Sequence, residues 1–250
     1  MRALVVVPTY NEAENIDRLV TRLQASRPDV DVLVVDDASP DGTGRIADAL
    51  AAADDRVHAM HRTGKQGLGS AYRAGFAWGL ERDYDYFVEM DADGSHQPEE
   101  LGRLLEAAVD GADLVIGSRR VEGGAVVNWP WYRRTISWVG TTYARLMLGL
   151  SVHDTTAGYR VLRRSALERL DLAHFAGEGY CFQIDMTRCV HAAGMSMVEV
   201  PVTFVERERG QSKMSGAIVR EALWRVTGWG LARLLPGHRR RMRRKVLSEA

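Results

Sequence analysis

The chain has 250 residues, enough for one large α/β domain with a full core or for two small ones. Its 33 Lys and Arg balance 33 Asp and Glu, so net charge offers no argument for nucleic acid and only local charge is left to read. The two cysteines, Cys181 and Cys189, fall too far apart along one expected helix to bridge, which favours a reduced, cytosolic compartment.

Leu4 to Val7 is an apolar, mostly β-branched run, the pattern of a strand buried on both faces. Asn11, with Glu14 three residues on, predicts a capping-box start to a helix carrying Ile16, Leu19, Val20 and Leu23 at helical spacing. Val32 to Val35 predicts a second strand, ending in Asp36-Asp37. Turn residues Ser39-Pro40-Asp41-Gly42-Thr43 then lead into a helix with Ile46, Ala49 and Leu50. Further on, Val57 to Met60 predicts a strand, Gly69 to Arg82 a helix, and Tyr84 to Val88 a strand followed by Glu89-Met90-Asp91-Ala92-Asp93-Gly94. Pro98 suits the first turn of a helix reaching Val109, and Asp113 to Gly117 is the next strand.

This βαβα alternation predicts a mostly parallel, doubly wound sheet, in which ligands bind beyond the carboxyl ends of the strands. Tyr10-Asn11-Glu12, Asp36-Asp37 and Asp91-Ala92-Asp93 all fall at such ends and can converge on one crevice. In extended chain, residues i and i+2 share a face, so Asp91 and Asp93 can aim two carboxylates at one point. A hard cation such as Mg2+ is held by one or two carboxylates plus substrate phosphates. Gly64-Lys65-Gln66-Gly67-Leu68-Gly69 matches neither the dinucleotide nor the P-loop spacing, and no glycines follow the first strand, so nicotinamide and flavin cofactors are not expected.

Beyond Gly117 the chain changes character. Gly123-Gly124 and Trp129-Pro130-Trp131-Tyr132-Arg133-Arg134 precede a long apolar helix through Ile136, Trp138, Val139, Tyr143, Leu146, Met147 and Leu150. A loop enters a short strand near Arg160, and Tyr180 to Ala193 predicts a helix bearing Asp185. Met195 to Val205 reads as one strand, with Pro201 marking an edge position. The polar segment from Glu206 to Lys213 leads to a last helix from Ala217 to Leu235.

Met1 to Pro8 is too short, and broken too soon by proline, for a signal peptide. No apolar run reaches the roughly 18 residues of a bilayer-spanning helix. Surface contact with a membrane is expected instead. Trp129, Trp131, Trp138, Trp224 and Trp229 surround the two apolar helices, and indole rings favour the headgroup level. The last helix carries one apolar stripe through Ile218, Ala222, Val226 and Trp229, and another through Trp224, Leu231 and Leu235. Arg239-Arg240-Arg241-Met242-Arg243-Arg244-Lys245 then adds a polybasic cluster, each residue of which gains about 1 kcal/mol near an anionic leaflet. No stacking platform or groove-reading motif accompanies these charges, so nucleic acid is not an expected partner.

Taken in order, Val6-Val7-Pro8-Thr9-Tyr10-Asn11-Glu12, Val34-Val35-Asp36-Asp37-Ala38-Ser39-Pro40-Asp41-Gly42-Thr43, Met90-Asp91-Ala92-Asp93-Gly94-Ser95-His96 and Gly117-Ser118-Arg119 form a recognisable series. Arg133-x-x-x-Ser137, Gly158-Tyr159-Arg160 and Arg207-x-x-Gly210-x-Ser212-Lys213 complete it. The series closely resembles the polyprenol-phosphate (dolichol-phosphate) mannose synthases, inverting glycosyltransferases of family 2, over about residues 3 to 216. The resemblance implies a GT-A (Rossmann-like) α/β fold in residues 1–216; the apolar stripes and the basic run place an amphipathic membrane- or partner-facing helix in 217–236 and a basic tail in 237–250.

It further implies that Pro8, Tyr10, Glu12, Val35 and Asp37 line the nucleoside end of GDP-mannose. Asp91, Ala92 and Asp93 would hold diphosphate and a divalent metal, Mg2+ or Mn2+, with Asp91 and Asp93 as its ligands. Arg207 and Lys213 would close over the diphosphate. Arg119 would border donor and acceptor and, with Arg133, hold the phosphate of a polyprenyl monophosphate. Asp91, Asp93, Arg119 and Arg133 are thus the expected catalytic set. Some relatives place Gln where this chain has Ser95, a weaker metal ligand. Arg209 and His96 read as structural.

The implied setting is the cytoplasmic face of the cell membrane, with peripheral attachment and an integral membrane protein as anchor. Alternatives are a polyprenyl-phosphate glucosyltransferase using another nucleotide-sugar, and a non-catalytic subunit that only binds one.

Overall fold

The computed structural model describes residues 1–172, 175, 179–207, 216–237, 242 and 246. Its first half alternates as β1 (Ala3–Thr9), α1 (Ile16–Ser26), β2 (Val30–Asp36), α2 (Thr43–Ala53), β3 (Val57–His61), α3 (Leu68–Leu80) and β4 (Tyr86–Glu89). A short 3-10 turn at Pro98–Glu100 then opens α4 (Leu101–Val109), followed by β5 (Leu114–Ser118), β6 (Ala125–Val127) and α5 (Trp131–Leu148). The rest comprises β7 (Arg160–Arg163), α6 (Arg164–Arg169), α7 (Tyr180–Ala193), β8 (Met197–Pro201), β9 (Thr203–Val205) and α8 (Gly216–Arg233).

Seven strands form one sheet in the order β3-β2-β1-β4-β7-β5-β8, parallel except for β7, which runs antiparallel to both neighbours. The apolar runs lack polar alternation because both faces are covered. Leu4 and Val6 of β1 pack in one core layer with Tyr72, Phe76 and Phe182, while Val5 and Val7 pack in the other with Ile16, Leu19 and Leu104. On the first side α3 lies so close to the sheet that a Cβ at Gly75 or Gly79 would collide with Val6 or with Phe87 and Leu4. The start of α3 is held at the end of β2 by the Asp37 carboxylate, which accepts the Gln66 and Gly67 amides. The sheet order reverses between β1 and β4, so the carboxyl ends of β1, β2 and β4 open on one crevice.

Three sequence expectations change. Helix α1 begins at Ile16 rather than at Asn11, because Asn11 sits in the left-handed region (φ 57°) and the Glu12 carbonyl accepts from the Asn15 and Ile16 amides. The segment Met195–Val205 is two strands. The Val202 amide donates to the Ser118 carbonyl and its own carbonyl accepts from Ala125, which carries the chain from β8, paired with β5, to β9, paired with β6. Pro201 does lie on the edge strand of the large sheet, where a missing N–H costs nothing.

The third change concerns tryptophan. Trp129 is buried, its ring packed edge-on to Phe204, and Trp229 is partly buried beneath Arg188. Trp131, Trp138 and Trp224 are 78%, 59% and 74% exposed, so only these three present indoles outward from the two helices. Leu231 and Leu235 are exposed beside Trp224, whereas Val226 is in the core, as the two-stripe pattern of the last helix requires. Helix α8 is fixed to α5 by a Tyr143–Thr227 hydroxyl bond of 2.6 Å. The basic side chains of the tail lie outside the described residues.

Candidate active site

At one end of the crevice, the β1 and β2 termini are stitched together. Thr9 Oγ1 donates to Asp36 Oδ1 (3.0 Å) and the Asp37 amide donates to the Thr9 carbonyl. Asp37 is buried and does not cap the next helix. Its Oδ1 takes Arg62 at 2.6 Å, and its Oδ2 accepts the Gln66 and Gly67 amides at 3.0 Å each. The glycine-rich segment dismissed as a dinucleotide loop therefore serves to hold Asp37. Tyr10 presents its ring to Lys65, whose Nζ lies 4.1 Å from the centroid. Pro8, within β1, is half-buried, Val35 is fully buried, and the Glu12 carboxylate accepts from Asn15 at 2.8 Å.

The acidic pair follows β4. Asp93 Oδ1 accepts the Ser95 amide at 3.0 Å, while its Oδ2 pairs with Arg207 at 2.8 Å. The Asp91 amide donates to His96 Nδ1, so a neutral His96 carries its proton on Nε2, which lies 3.9 Å from Asp91 Oδ2. Burial pushes the Asp91 carboxyl up, His96 opposes that, and the neighbouring Asp93 charge pushes it further. Burial likewise pushes His96 down and keeps it neutral, against the pull of Asp91 and Asp93. Two crowded carboxylates, one of them accepting no hydrogen bond among the described residues, fit a hard divalent cation. No cluster of three His, Cys, Asp or Glu side chains is placed for a metal among the described residues, so a cation here would complete its sphere with phosphate and water oxygens. Ala92 is buried and offers only its backbone; Ser95 is buried, and its carbonyl accepts the Val205 amide, tying the acidic turn to β9.

On the far side, Arg119 forms a two-pronged pair with Asp154, Nε and Nη2 each at 2.7 Å, and Nη2 also reaches Thr156 Oγ1 at 3.1 Å. Burial alone would raise the Asp154 carboxyl, and Arg119 more than cancels that, holding it below the usual range. Arg133 pairs with Glu206 and stacks over Trp129 at 4.5 Å. From Arg133 a groove of about 350 Å³ runs between α5 and α8, lined by Ile136, Tyr143, Ile184, Ala222, Leu223 and Val226 among others. Polar and apolar requirements thus meet at one arginine. Lys213, Arg209, Gly210 and Ser212 lie outside the described residues.

The profile of Glycosyl transferase family 2 matches residues 4–171. The chain belongs to this family.

Undecaprenyl-phosphate mannosyltransferase from Micrococcus luteus is 60% identical over 242 residues, covering 97% of this chain and 99% of that one. Polyprenol monophosphomannose synthase from Mycolicibacterium smegmatis is 59% identical over 231 residues, covering 92% of this chain and 87% of the relative. Among solved structures, glucosyl-3-phosphoglycerate synthase from Mycobacterium tuberculosis, crystallised with Mn2+, UDP-glucose and glycerol 3-phosphate, has a TM-score of 0.66 at 20% identity, covering 91% of this chain and 80% of that one. That likeness is one of fold, the GT-A arrangement, and this chain is a glycosyltransferase.

Sequence reasoning passed over several residues of this glycosyltransferase cleft. Lys65 and Arg62 come from the loop before α3, and their only local signal is proximity to a glycine-rich turn. Asp154 and Thr156 precede β7, and nothing in their spacing announces Arg119 as partner. His96 was read as structural, and its stacking on Tyr159 (5.0 Å) and its bond to the Asp91 amide agree, though its ring also faces the acidic pair.

Proposed function

We propose that this glycosyltransferase transfers mannose from GDP-mannose to a polyprenyl monophosphate with inversion, giving polyprenyl phosphomannose and GDP. The observation that carries the reading is the apolar groove between α5 and α8 that ends at Arg133, close to Arg119 and Thr156. A small polar acceptor has no use for such a groove, whereas an isoprenoid chain buries apolar surface along it at about 25 cal/mol per Å². The relatives at 59% and 60% identity, named for mannosyl transfer to polyprenol and undecaprenyl phosphates, support the same acceptor and sugar.

Chemistry at the anomeric carbon then needs no protein base. A phosphate monoester has its second pKa near 6 and is largely a dianion at neutral pH. Its oxygen forms the new bond to the anomeric carbon as the bond to GDP breaks on the opposite face. The obstacle is bringing two anions together. Arg119, fixed by Asp154, and Arg133, fixed by Glu206, set positive charge on the acceptor side. Arg207 waits on Asp93 and, with Lys213, turns to the diphosphate as donor enters. Asp91 and Asp93 would hold Mg2+ or Mn2+, which when bound supplies Lewis-acid stabilisation of the departing diphosphate. Pro8, Tyr10, Glu12, Val35 and Asp37 shape the nucleoside pocket.

No helix among the described residues is long and apolar enough to cross a membrane. Trp131, Trp138, Trp224, Leu231 and Leu235 form the outward apolar set that rests on the cytoplasmic leaflet, where the lipid acceptor resides, and an integral membrane protein completes the anchorage. A donor screen in detergent tests the proposal: GDP-mannose, GDP-glucose and UDP-glucose, each with a polyprenyl phosphate. Mannolipid from GDP-mannose alone supports it; glucolipid from UDP-glucose alone would keep the chemistry and overturn the sugar.

A further inference from the structure

Arg160 opens β7, where that antiparallel strand passes between β4 and β5, paired with Glu89 on one side and Ile116 on the other. Its side chain is fully buried. A buried guanidinium ordinarily binds a carboxylate directly. This one binds backbone instead. Its Nε donates to the Ala157 carbonyl at 2.7 Å, its Nη2 to the Thr155 carbonyl at 2.9 Å and its Nη1 to the Gln183 carbonyl of α7 at 2.9 Å. Glu89 Oε2 faces Nε at 4.0 Å, too far for a hydrogen bond, and neither Glu89 oxygen has a hydrogen-bond partner among the described residues. Charge is thus offset at a distance, while the directional bonds go to main chain.

The three carbonyls belong to segments that reach the site. Thr155 and Ala157 flank Thr156, whose hydroxyl accepts from Arg119 Nη2, and they follow Asp154, which takes both prongs of Arg119. Gln183 precedes Ile184, and Thr156 and Ile184 both line the apolar groove. Further along the same loop, a Cβ at Gly158 would stand 3.6 Å from Asp91 Oδ2, so the loop borders the acidic pair as well. Residues 154–158 contain no helix or strand and have no ladder to fix them. A planar fork with N–H groups in set directions holds several carbonyls at once, which the point charge of a lysine does not.

We infer that Arg160 is a positioning residue for the transfer reaction: from inside the core it fixes the 154–158 loop and so sets where Arg119 points, without touching substrate. The inference rests on the place of Arg119 in the proposed reaction and adds the group that orients it.

The test compares Arg160→Lys, which keeps the charge and loses the fork, in two backgrounds: the parent chain and Arg119→Lys. With GDP-mannose as donor, it is expected to lower kcat/KM for polyprenyl phosphate about tenfold or more in the parent and less than about twofold beside Arg119→Lys, because changes acting through one guanidinium do not add. A general loss of packing would cost the same factor in both. A second readout needs no turnover. In ¹⁵N-arginine-labelled protein, with the Arg119 Nε–H signal assigned through Arg119→Lys, that proton is expected to exchange with solvent about tenfold faster or more in Arg160→Lys than in the parent. Thermal melts establish that the variants are folded. If Arg160→Lys does not fold, Glu89→Gln combined with Arg160→Met, which removes both buried charges together, carries the same two comparisons.

Equal losses in the two backgrounds, or an Arg119 proton that exchanges as slowly in the variant as in the parent, would overturn the inference while the functional reading stands. A faster Arg119 proton in a chain that transfers sugar from no nucleotide-sugar would uphold the positioning and sink the functional reading.

Discussion

At the end of the cleft proposed for the donor three acidic side chains are already held: Asp36 by Thr9 and Ser39, Asp37 by Arg62 and two backbone amides, Asp93 by Ser95 and Arg207. At the acceptor end the opposite holds. Among the described residues, buried donors on Arg120 and Trp129 have no hydrogen-bond partner, an apolar groove runs between α5 and α8, and large apolar residues point outward from both helices. The donor half is a preorganised electrostatic site, whose dipoles need no rearrangement when charge develops. On the proposed function, the acceptor half is a surface that a lipid would complete. The contrast teaches where each kind of binding energy is stored: in fixed polar geometry on one side, and in unmet apolar and anionic demand on the other.

Three substitutions and one labelling experiment probe that contrast. Asp93→Ala strikes the preorganised half at its centre, removing one of two carboxylates and releasing Arg207; product formation should fall by about 10³-fold, the scale on which removing one transition-state-stabilising group acts. Residual activity within tenfold of the parent would mean that Asp93 does not hold the diphosphate or its cation.

Asp154→Ala breaks the buried pair that fixes Arg119, leaving a guanidinium with 6% of its side chain exposed and no counter-charge from Asp154. Urea unfolding should show a loss of about 3 kcal/mol. A loss below about 1 kcal/mol would show that Arg119 finds its anchorage elsewhere.

Arg133→Ala addresses the acceptor half. Its expected signature is a rise of about tenfold in the KM for polyprenyl phosphate, the cost of one charge-assisted hydrogen bond, with the donor KM unchanged. Unaltered acceptor kinetics would remove Arg133 from that site.

The smallest expected response comes from Cys181, on α7 within reach of Arg225 and Glu221 of α8. Burial pushes its thiol up to about 12. At pH 8 its thiolate fraction is then about 10⁻⁴, and the folded protein should scarcely react with an aromatic disulfide reagent until unfolded. Rapid native labelling would show that α8 swings off α7, and the groove would then be a hinge rather than a slot.

These two halves were unequally legible in the sequence. Strand ends are local features: the apolar run Leu4 to Val7 followed by Tyr10-Asn11-Glu12, and Phe87-Val88 followed by Asp91-x-Asp93, announce both the sheet and the crevice within a few residues. Their contacts were less visible, since the Arg62 and Gln66 that hold Asp37 arrive from a different loop. The acceptor half is assembled over long separations. Trp129, Thr156, Ile184 and Val226 meet only because β7 inserts antiparallel between β4 and β5 and α8 folds back on α5, and no periodicity encodes that return. Trp129 is the instructive case. Composition placed it among surface indoles, yet the small β6–β9 sheet buries it against Phe204 and turns it into a wall shared by two cavities.

The most direct test of the account is transfer of labelled mannose from GDP-mannose to a polyprenyl phosphate in detergent, with EDTA and after restoring Mg2+ or Mn2+. Mannolipid that disappears with EDTA and returns with either cation is the predicted result. Mannolipid formed equally well in EDTA would contradict the role given to Asp91 and Asp93, and absence of mannolipid under every metal condition would contradict the central claim itself.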